Sequence, residues 1–396
     1  MFFAVSGREP RPLRLALRAL LLAPMAALGL AAACSGVPGI GGGGSGELVL
    51  GLAIPLTDGQ GKPDIYGVSS QKGAALAVEE LNAAKTFGGR TLVLRTVDDK
   101  GDGKVAIDVA DSLVNDPRVL GVIGHAYSGA TIQAAQRYEG QLAAVAITAT
   151  SPEISKLGDW IYRVASSDSA NAVALAQTAR QMGQRIAVLY SNDDYGQGLA
   201  RNFVSALRAA GGAVAAMDPF LDDTEDFTPY LRRMQERGVD LVFVAGLQDP
   251  AARAITQAQQ VGLTARFIGG DGVEGLMAMG PRFDGTTVGV LFHPEMSDSA
   301  RAFVQRFRRK YGEDPDSQAA LAYDATRLLA AALRDGNRDR EAVREWLHGV
   351  GRPGGAPAFE GIAGTVAFDE NGDPVNKRFP MGVIRGGRIV LPEAGR

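Results

Sequence analysis

Hydroxyl side chains follow two consecutive apolar runs in the first half of the chain, in a pattern that suits a small anion site. The run 119–123 ends at a glycine and leads through Ser128 into a helical pattern, and the run 143–147 leads into Thr148, Thr150 and Ser151. The carboxyl ends of parallel strands face one crevice. We therefore expect the hydroxyl residues that follow the two runs to lie at a single site. The first N–H groups of a helix attract an anion, so the sequence predicts an anionic ligand on Ser128. The alternative is that Ser128 caps the helix, a common role of serine at that position.

The elements that must position these hydroxyls alternate between apolar strands and amphipathic helices from residue 47 onward. The predicted strands are 48–55, 91–97, 119–123, 143–147, 185–190, 213–217, 240–245 and 266–268. The predicted helices are 68–82, 104–115, 130–138, 170–182, 198–210, 228–237 and 250–261. Apolar strands connected through helices indicate right-handed βαβ units, parallel sheets and an α/β fold.

The polar stretch 163–169 lacks periodicity and divides this pattern into two runs, which predicts two doubly wound parallel-sheet lobes. After residue 268 the order changes to a strand at 287–292, helices at 299–311, 318–334 and 340–348, and β-like segments at 364–368 and 381–391. These late elements are expected to complete the earlier lobes, so each lobe is discontinuous. We predict residues 47–167 with 293–375 as lobe 1, and residues 168–292 with 376–396 as lobe 2.

The first 33 residues have the pattern of a targeting segment. Four arginines precede the apolar run 19–33, and the single cysteine of the chain, Cys34, follows three alanines. Small residues before such a cysteine resemble a bacterial lipobox, although Leu30 lies one position further from the cysteine than usual. We therefore predict a lipoprotein signal peptide at 1–33, lipidation at Cys34 and a glycine-rich tether at 34–46; the alternative is plain secretion with an incidental cysteine.

Composition and motifs exclude several classes of function. The 396 residues carry a formal net charge of −3, which is unlike the footprint of a nucleic-acid-binding protein. The three histidines are scattered and form no HExxH pair, and the sequence has no GxSxG, no GxxxxGK[ST] and no GxGxxG after its first strand. We therefore predict no metal site, no cofactor and no catalytic residue, and we interpret His125 as a structural histidine.

Five stretches resemble the branched-chain amino acid binding proteins of bacterial ABC uptake systems, which are type I periplasmic binding proteins. They are YGVSSQKGAALAVEELN from Tyr66, VIGHAYSGAT from Val122, TATSPEIS from Thr148, NDDYGQGLA from Asn192 and FIGGDGVEG from Phe267. The stretches are collinear with the family over nearly all of residues 47–390. The resemblance implies two Rossmann-like lobes, joined by a hinge of three crossovers, that close on an amino acid without catalysis.

The resemblance also assigns site residues. It implies that Ser128 and Thr150 hold the α-carboxylate of the ligand, together with backbone amides around Ala149. It implies that Asp271 holds the α-ammonium group. The cleft positions that it implies for the remaining side chains are those of Ala126, Tyr127, Tyr66 and Tyr195.

Three departures from the family pattern lie outside the part of the site that holds the α-carboxylate. Asp271 is one methylene shorter than the glutamate of the leucine-type members, and Leu247 and Gln318 stand where those members have aromatic residues. These changes leave the carboxylate half of the site intact. The ligand predicted from the sequence is therefore a small amino acid, an amide or a small carboxylate.

The function predicted from the sequence is that of a lipid-anchored, extracytoplasmic and monomeric solute-binding protein that delivers its ligand to an ABC permease. Two alternatives remain open at this point. One is a ligand sensor of the same fold that is coupled to a signalling partner, and the other is an extracellular hydrolase on an α/β scaffold.

Overall fold

The structure, a computed structural model, describes residues 46–392. The predicted signal peptide 1–33, Cys34 and all but the last residue of the predicted tether lie outside the described residues. None of the helices between residues 46 and 392 combines the length and hydrophobicity that crossing a bilayer requires.

Strands and helices alternate through most of this region. The strands are β1 (Glu47–Ile54), β2 (Thr91–Asp98), β3 (Val119–Gly124), β4 (Ala144–Ala146), β5 (Ile161–Arg163), β6 (Ile186–Ser191), β7 (Val214–Phe220), β8 (Leu241–Ala245), β9 (Arg266–Gly269), β10 (Thr287–Gly289), β11 (Phe359–Gly361), β12 (Gly364–Val366), β13 (Met381–Arg385) and β14 (Arg388–Val390). The α-helices are α1 (Ile65–Ala83), α2 (Gly103–Val114), α3 (Ser128–Tyr138), α4 (Asp168–Met182), α5 (Asp194–Ala209), α6 (Thr228–Glu236), α7 (Gln248–Val261), α8 (Asp298–Tyr311), α9 (Ser317–Arg334) and α10 (Arg340–His348). A 3₁₀ helix, Asp271–Met279, follows β9.

The strands form two large sheets. The first is parallel and has the order β2-β1-β3-β4-β5, and the second has the order β14-β13-β10-β9-β8-β6-β7. The second sheet is parallel from β7 to β10, and β13 pairs antiparallel with both β10 and β14. The predicted α/β class with parallel sheets is confirmed.

Helices cover both faces of the first sheet. On one face, apolar side chains of α1, α8, α9 and α10 pack with the strands, and on the other face those of α2 and α3 do so. Two further apolar clusters flank the second sheet. Strands that are covered on both faces read as continuous apolar runs, which explains why β3 is buried at every position.

The structure adds two strands, β5 and β11, that the sequence did not predict. Each has three residues, which is too short to show an alternating pattern. Several helices also begin earlier than predicted: α5 begins at Asp194, four residues before the predicted start. Its cap is Asp193, whose side chain accepts a hydrogen bond from the Gly196 N–H, so polar residues at the cap and in the first turn extend the helix beyond its apolar periodicity.

Candidate functional site

A cavity of about 200 Å³ lies between the carboxyl ends of the two sheets. Its lining residues are Tyr66, Gly101, Ala126, Tyr127, Ser128, Gly129, Thr148, Asp193, Tyr195, Asp222, Leu247, Asp271, Gly272 and Gln318. Pockets for drug-sized ligands have about 300–1,000 Å³, so this cavity suits a smaller molecule.

Tyr66, at the start of α1, connects the two walls of the cavity. Its hydroxyl donates a hydrogen bond to the Gly272 carbonyl oxygen at 3.1 Å and accepts one from the Gln248 N–H at 3.4 Å. Gly272 and Gln248 follow strands of the second sheet, whereas the apolar side chains of α1 pack on the first. The structure therefore shows the two halves in contact across the cavity.

Ser128 lies on the first-sheet wall, where β3 leads into α3. It is the first residue of the helix, the cap position is Tyr127, and no side chain caps the helix. The Ser128 Oγ accepts a hydrogen bond from the Ser151 N–H at 3.2 Å, which leaves the hydroxyl proton free to be donated. The N–H groups of the first turn have no partner within the helix, so hydroxyl and amide donors share this end of the cavity. The helix-cap interpretation of Ser128 is not what the structure shows.

The loop after β4 lies against Ser128, but it presents a different hydroxyl to the cavity. Thr150 is fully buried, and its Oγ1 donates to the Asp168 Oδ2 at 2.9 Å. Among the described residues, the cavity wall does not include Ala149 or Thr150; it includes Thr148, whose Oγ1 donates to the Ala126 carbonyl oxygen at 3.0 Å.

Asp271 and Tyr195 occupy the opposite wall. The Tyr195 hydroxyl donates to the Asp271 Oδ1 at 3.2 Å and accepts from the Gly272 N–H at 3.1 Å, so the tyrosine fixes both the carboxylate and the start of the 3₁₀ helix. Asp271 is only 6% exposed, and burial raises its pKa above the usual range. Burial and the charge of Asp271 also raise the pKa of Asp168.

Glu274 is a second buried carboxyl group on the 3₁₀ helix. It is 6% exposed, and its Oε2 has no hydrogen-bond partner among the described residues. Burial, followed by the charge of Asp316 at the cap of α9, raises the pKa of Glu274 to about 8.

Two tyrosine rings close the side of the cavity near α1. The rings of Tyr66 and Tyr127 meet edge to face with centroids 5.8 Å apart. The Tyr127 hydroxyl donates to the Asp64 Oδ2 at 2.9 Å, and the Asp64 Oδ1 accepts from the first turn of α1. This network fixes the aromatic wall against the cap of the helix.

His125 lies behind this wall and is fully buried. Its Nδ1 is 2.5 Å from the Asp99 Oδ2, and its Nε2 is 3.1 Å from the Tyr138 hydroxyl. Both ring nitrogens therefore have protein partners. Within residues 46–392, no group of three or more histidine, cysteine or acidic side chains is arranged to hold a metal ion.

The sequence interpretation missed two acidic lining residues, Asp193 and Asp222. Each follows a strand of the second sheet, Asp193 after β6 and Asp222 after β7. The rule that places Ser128 at the crevice, that ligands meet the carboxyl ends of parallel strands, also applies to these two residues. Asp193 lies three residues after the predicted strand 185–190 and could have been found in this way, whereas Asp222 lies five residues beyond the predicted end of the strand 213–217.

Known proteins of one family match this chain over most of its length. The model of the family described as periplasmic binding protein matches residues 48–388. The chain is 30% identical to the Leu/Ile/Val-binding protein homolog 1 of Brucella suis biovar 1 (strain 1330) over 350 residues, which is 86% of this chain and 91% of the relative. It is 30% identical to the leucine-, isoleucine-, valine-, threonine-, and alanine-binding protein of Pseudomonas aeruginosa PAO1, over 83% of this chain and 88% of that protein.

A solved structure has a similar fold. The branched-chain amino acid transporter substrate-binding protein LivJ from Streptococcus pneumoniae, in complex with isoleucine, superposes with a TM-score of 0.78 at 26% sequence identity. The match covers 87% of this chain and 99% of LivJ. Members of this kind are substrate-binding transport proteins with an extracytoplasmic location, not enzymes. The chain therefore belongs to the periplasmic binding protein family, has the type I fold of that family, and is similar to its branched-chain amino acid binding members.

Proposed function

We propose that this chain is a lipid-anchored solute-binding protein that captures a small amino acid or related carboxylate between its lobes and delivers it to an ABC permease. The observation that carries the proposal is the opposition of Ser128 and Asp271 in one cavity. Hydroxyl and amide donors line one wall, and a carboxylate lines the other. A zwitterionic amino acid has the complementary pair of charges.

The first-sheet wall is suited to the α-carboxylate. The proton of the Ser128 hydroxyl and the first N–H groups of α3 are donors that a carboxylate accepts, and the positive end of the helix dipole favours its charge. The resemblance to the family adds Thr150 and the amide near Ala149 to this group. In the structure these two lie behind the wall, so a direct contact with the ligand requires a shift of the loop after β4.

The second-sheet wall is suited to the α-ammonium group. Asp271 is buried at the cavity and shares its Oδ1 with the Tyr195 hydroxyl. Because burial of an uncompensated carboxylate is unfavourable, an ammonium group of the ligand would supply a counter-charge to Asp271. Charge-assisted hydrogen bonds of this kind contribute about 1.5–3 kcal/mol each.

Delivery to a permease and membrane attachment rest on the family and on the N-terminal sequence. Cys34 at the end of the predicted signal peptide is the proposed lipidation site, and the glycine-rich tether 34–46 would let the folded lobes stand away from the membrane. Closure around the ligand is the state that a permease would distinguish from the empty protein.

A thermal-shift screen of the purified chain against amino acids, amides and small organic acids tests the proposal. A ligand that binds only the native state at 100 times its Kd stabilises the protein by about 2.7 kcal/mol, which raises the melting temperature. We expect α-amino acids to raise it and the corresponding amino amides, which lack the carboxylate, to have little effect. The absence of a shift with every α-amino acid and carboxylate would contradict the proposed function.

A further inference from the structure

A buried arginine lies behind the anion end of the cavity, and the contacts proposed for the ligand do not use it. Arg163 is the last residue of β5, and its side chain is fully buried. Moving a guanidinium group out of water is unfavourable, and a buried ion pair rarely stabilises a protein more than apolar side chains of the same volume do. Such a pair can instead fix the geometry of the groups around it, so the partners of Arg163 indicate what it positions.

All three nitrogen atoms of the Arg163 guanidinium group donate hydrogen bonds. The Nε and Nη2 atoms donate to the two carboxylate oxygens of Asp373 at 2.7 and 2.8 Å, in the bidentate geometry that suits arginine. Nη2 also donates to the Ser155 Oγ at 2.7 Å. The third nitrogen, Nη1, donates to the Ser151 carbonyl oxygen at 2.8 Å. Arg163 therefore joins Asp373 to the loop that follows β4.

Asp373 is itself held against β5, so the guanidinium group has a fixed anchor. The Gly372 carbonyl oxygen accepts a hydrogen bond from the Arg163 N–H at 3.1 Å. Gly372 has a φ of 75°, and a Cβ atom there would lie 2.4 Å from the Ile161 carbonyl oxygen, so this close approach requires glycine. The Asp373 N–H donates to the Asp369 Oδ1 at 3.0 Å. This turn keeps Asp373 beside Arg163.

Ser151 connects the arginine to the wall of the cavity. Its carbonyl oxygen accepts from Arg163, and its N–H donates to the Ser128 Oγ at 3.2 Å. A hydroxyl oxygen that accepts from this N–H directs its own proton elsewhere, and Ser128 lines the cavity. A distance of 3.2 Å is at the upper end of the usual range, so a small movement of Ser151 would break this bond.

We propose that Arg163 is a positioning residue for the carboxylate of the ligand: it holds Ser151 so that the Ser128 hydroxyl is presented to the cavity as a donor. This inference rests on the function proposed above, because it requires that Ser128 binds a carboxylate. Arg163 is not among the described residues that line the cavity, so it acts through Ser151. A donor that is already oriented binds its acceptor at a smaller entropic cost. Loss of the guanidinium group therefore weakens binding through Ser128.

A double-mutant cycle with Arg163→Lys and Ser128→Ala tests this inference by isothermal titration calorimetry of the full-length chain. The probes are L-alanine, L-leucine and L-glutamine, and the one with the lowest Kd is used throughout the cycle. Arg163→Lys keeps the positive charge but removes the planar fork that reaches Asp373 and Ser151 together. We expect Arg163→Lys to raise the Kd about fivefold when Ser128 is present, and less than about twofold in Ser128→Ala.

Asp373→Asn repeats the cycle with the arginine in place, and it decides the question if Arg163→Lys does not fold. It removes one of the two oxygens that hold the guanidinium group. It also removes a charge, but the effect of that charge on the Kd is the same with and without the Ser128 hydroxyl. We therefore expect its effect on the Kd to differ by about threefold or more between the protein with Ser128 and Ser128→Ala.

The matched control is Arg340→Lys. Arg340 is half-buried and also donates from all three nitrogen atoms to the loop before a strand, in this case to backbone carbonyl oxygens at the amino end of β3, away from the cavity. These oxygens belong to Val114, Asp116 and Val119. Arg340→Lys should lower the melting temperature and leave the Kd within about twofold.

The outcomes separate this inference from the function on which it rests. An equal rise of the Kd with and without the Ser128 hydroxyl shows that Arg163 supports the fold as a whole, and it overturns the inference. An unchanged Kd in Arg163→Lys also overturns it, and both results leave the amino acid binding protein in place. No binding of any of the three amino acids to the native chain overturns the proposed function and this inference together.

Discussion

Removal of the Ser128 hydroxyl is the most direct test of the anion end of the cavity. In Ser128→Ala the helix, its cap residue and its first N–H groups remain, because the cap is Tyr127 and no side chain caps α3. The substitution removes one donor to the ligand carboxylate. It also removes the acceptor of the Ser151 N–H.

The two losses have different thermodynamic consequences. A hydrogen bond to a charged group contributes about 1.5–3 kcal/mol, so the Kd for an α-amino acid should rise about 10- to 150-fold. The Ser151 N–H loses its partner in the free and the bound protein alike. That loss of about 1–3 kcal/mol therefore lowers the melting temperature without ligand and adds little to the change in Kd.

Calorimetry with the amino acid that stabilises the protein most in the screen measures the binding effect. The matched control is Thr131→Val, because Thr131 is on the same helix, is 3% exposed like Ser128, and donates its hydroxyl to the Tyr127 carbonyl oxygen outside the cavity wall. Thr131→Val should lower stability and leave the Kd within about twofold. An unchanged Kd in Ser128→Ala, with the ligand's carboxylate still required for binding, would refute the assignment of Ser128.

Three further substitutions test the rest of the cavity. Asp271→Asn should weaken an α-amino acid at least tenfold relative to the α-hydroxy acid of the same side chain, measured by calorimetry, because only the ammonium group uses the carboxylate; equal weakening of both ligands would contradict this role. Tyr66→Phe removes the hydrogen bond to the Gly272 carbonyl oxygen, so we expect a loss of affinity of about 0.5–1.5 kcal/mol and a larger radius of gyration at subsaturating ligand by small-angle scattering; identical scattering and affinity would exclude a role in closure. The raised pKa of Glu274 means that between about pH 4.5 and 8 the unfolded chain has released a proton that the folded chain keeps, so stability should fall as pH rises through that range. Glu274→Gln should flatten this dependence in thermal melts at pH 5 and pH 8, and an unaltered slope would show that Glu274 is not its source.

The sequence was sufficient to predict those helices and strands whose burial produces an apolar pattern over many residues. Strands β1, β2 and β3 and helices α9 and α10 lie within two residues of their predicted positions, because each shows its apolar pattern over several residues. The pattern could not locate β5 or β11, because a strand of three residues is too short to show an alternating pattern. It could not locate the start of α5 either, because a hydrogen bond to a cap residue is not visible in hydrophobic periodicity.

The candidate site was partly predictable for a related reason. The position of Ser128 after a buried strand and at the start of a helix follows from local order alone. Which hydroxyl of the next loop reaches the cavity does not: Thr148 lines it, whereas Thr150 turns inward to Asp168, a residue of α4. Asp222 is brought to the cavity only by the position of β7 beside β6, which is a property of the assembled sheet.

The division of charge between the two walls explains how a small ligand could control closure. A ligand shifts a conformational equilibrium only by as much as it binds one state better than the other. The donors around Ser128 lie on the first-sheet wall, and the carboxylates, Asp271 among them, lie on the second-sheet wall. An open form can therefore hold only one end of a zwitterion at a time, whereas the closed form holds both. The difference is the binding free energy of the second end. Without ligand, the closed form must instead bury the Asp271 carboxylate without a counter-charge. A molecule that has only one of the two charges should consequently bind to one lobe and leave the equilibrium between open and closed forms largely unchanged.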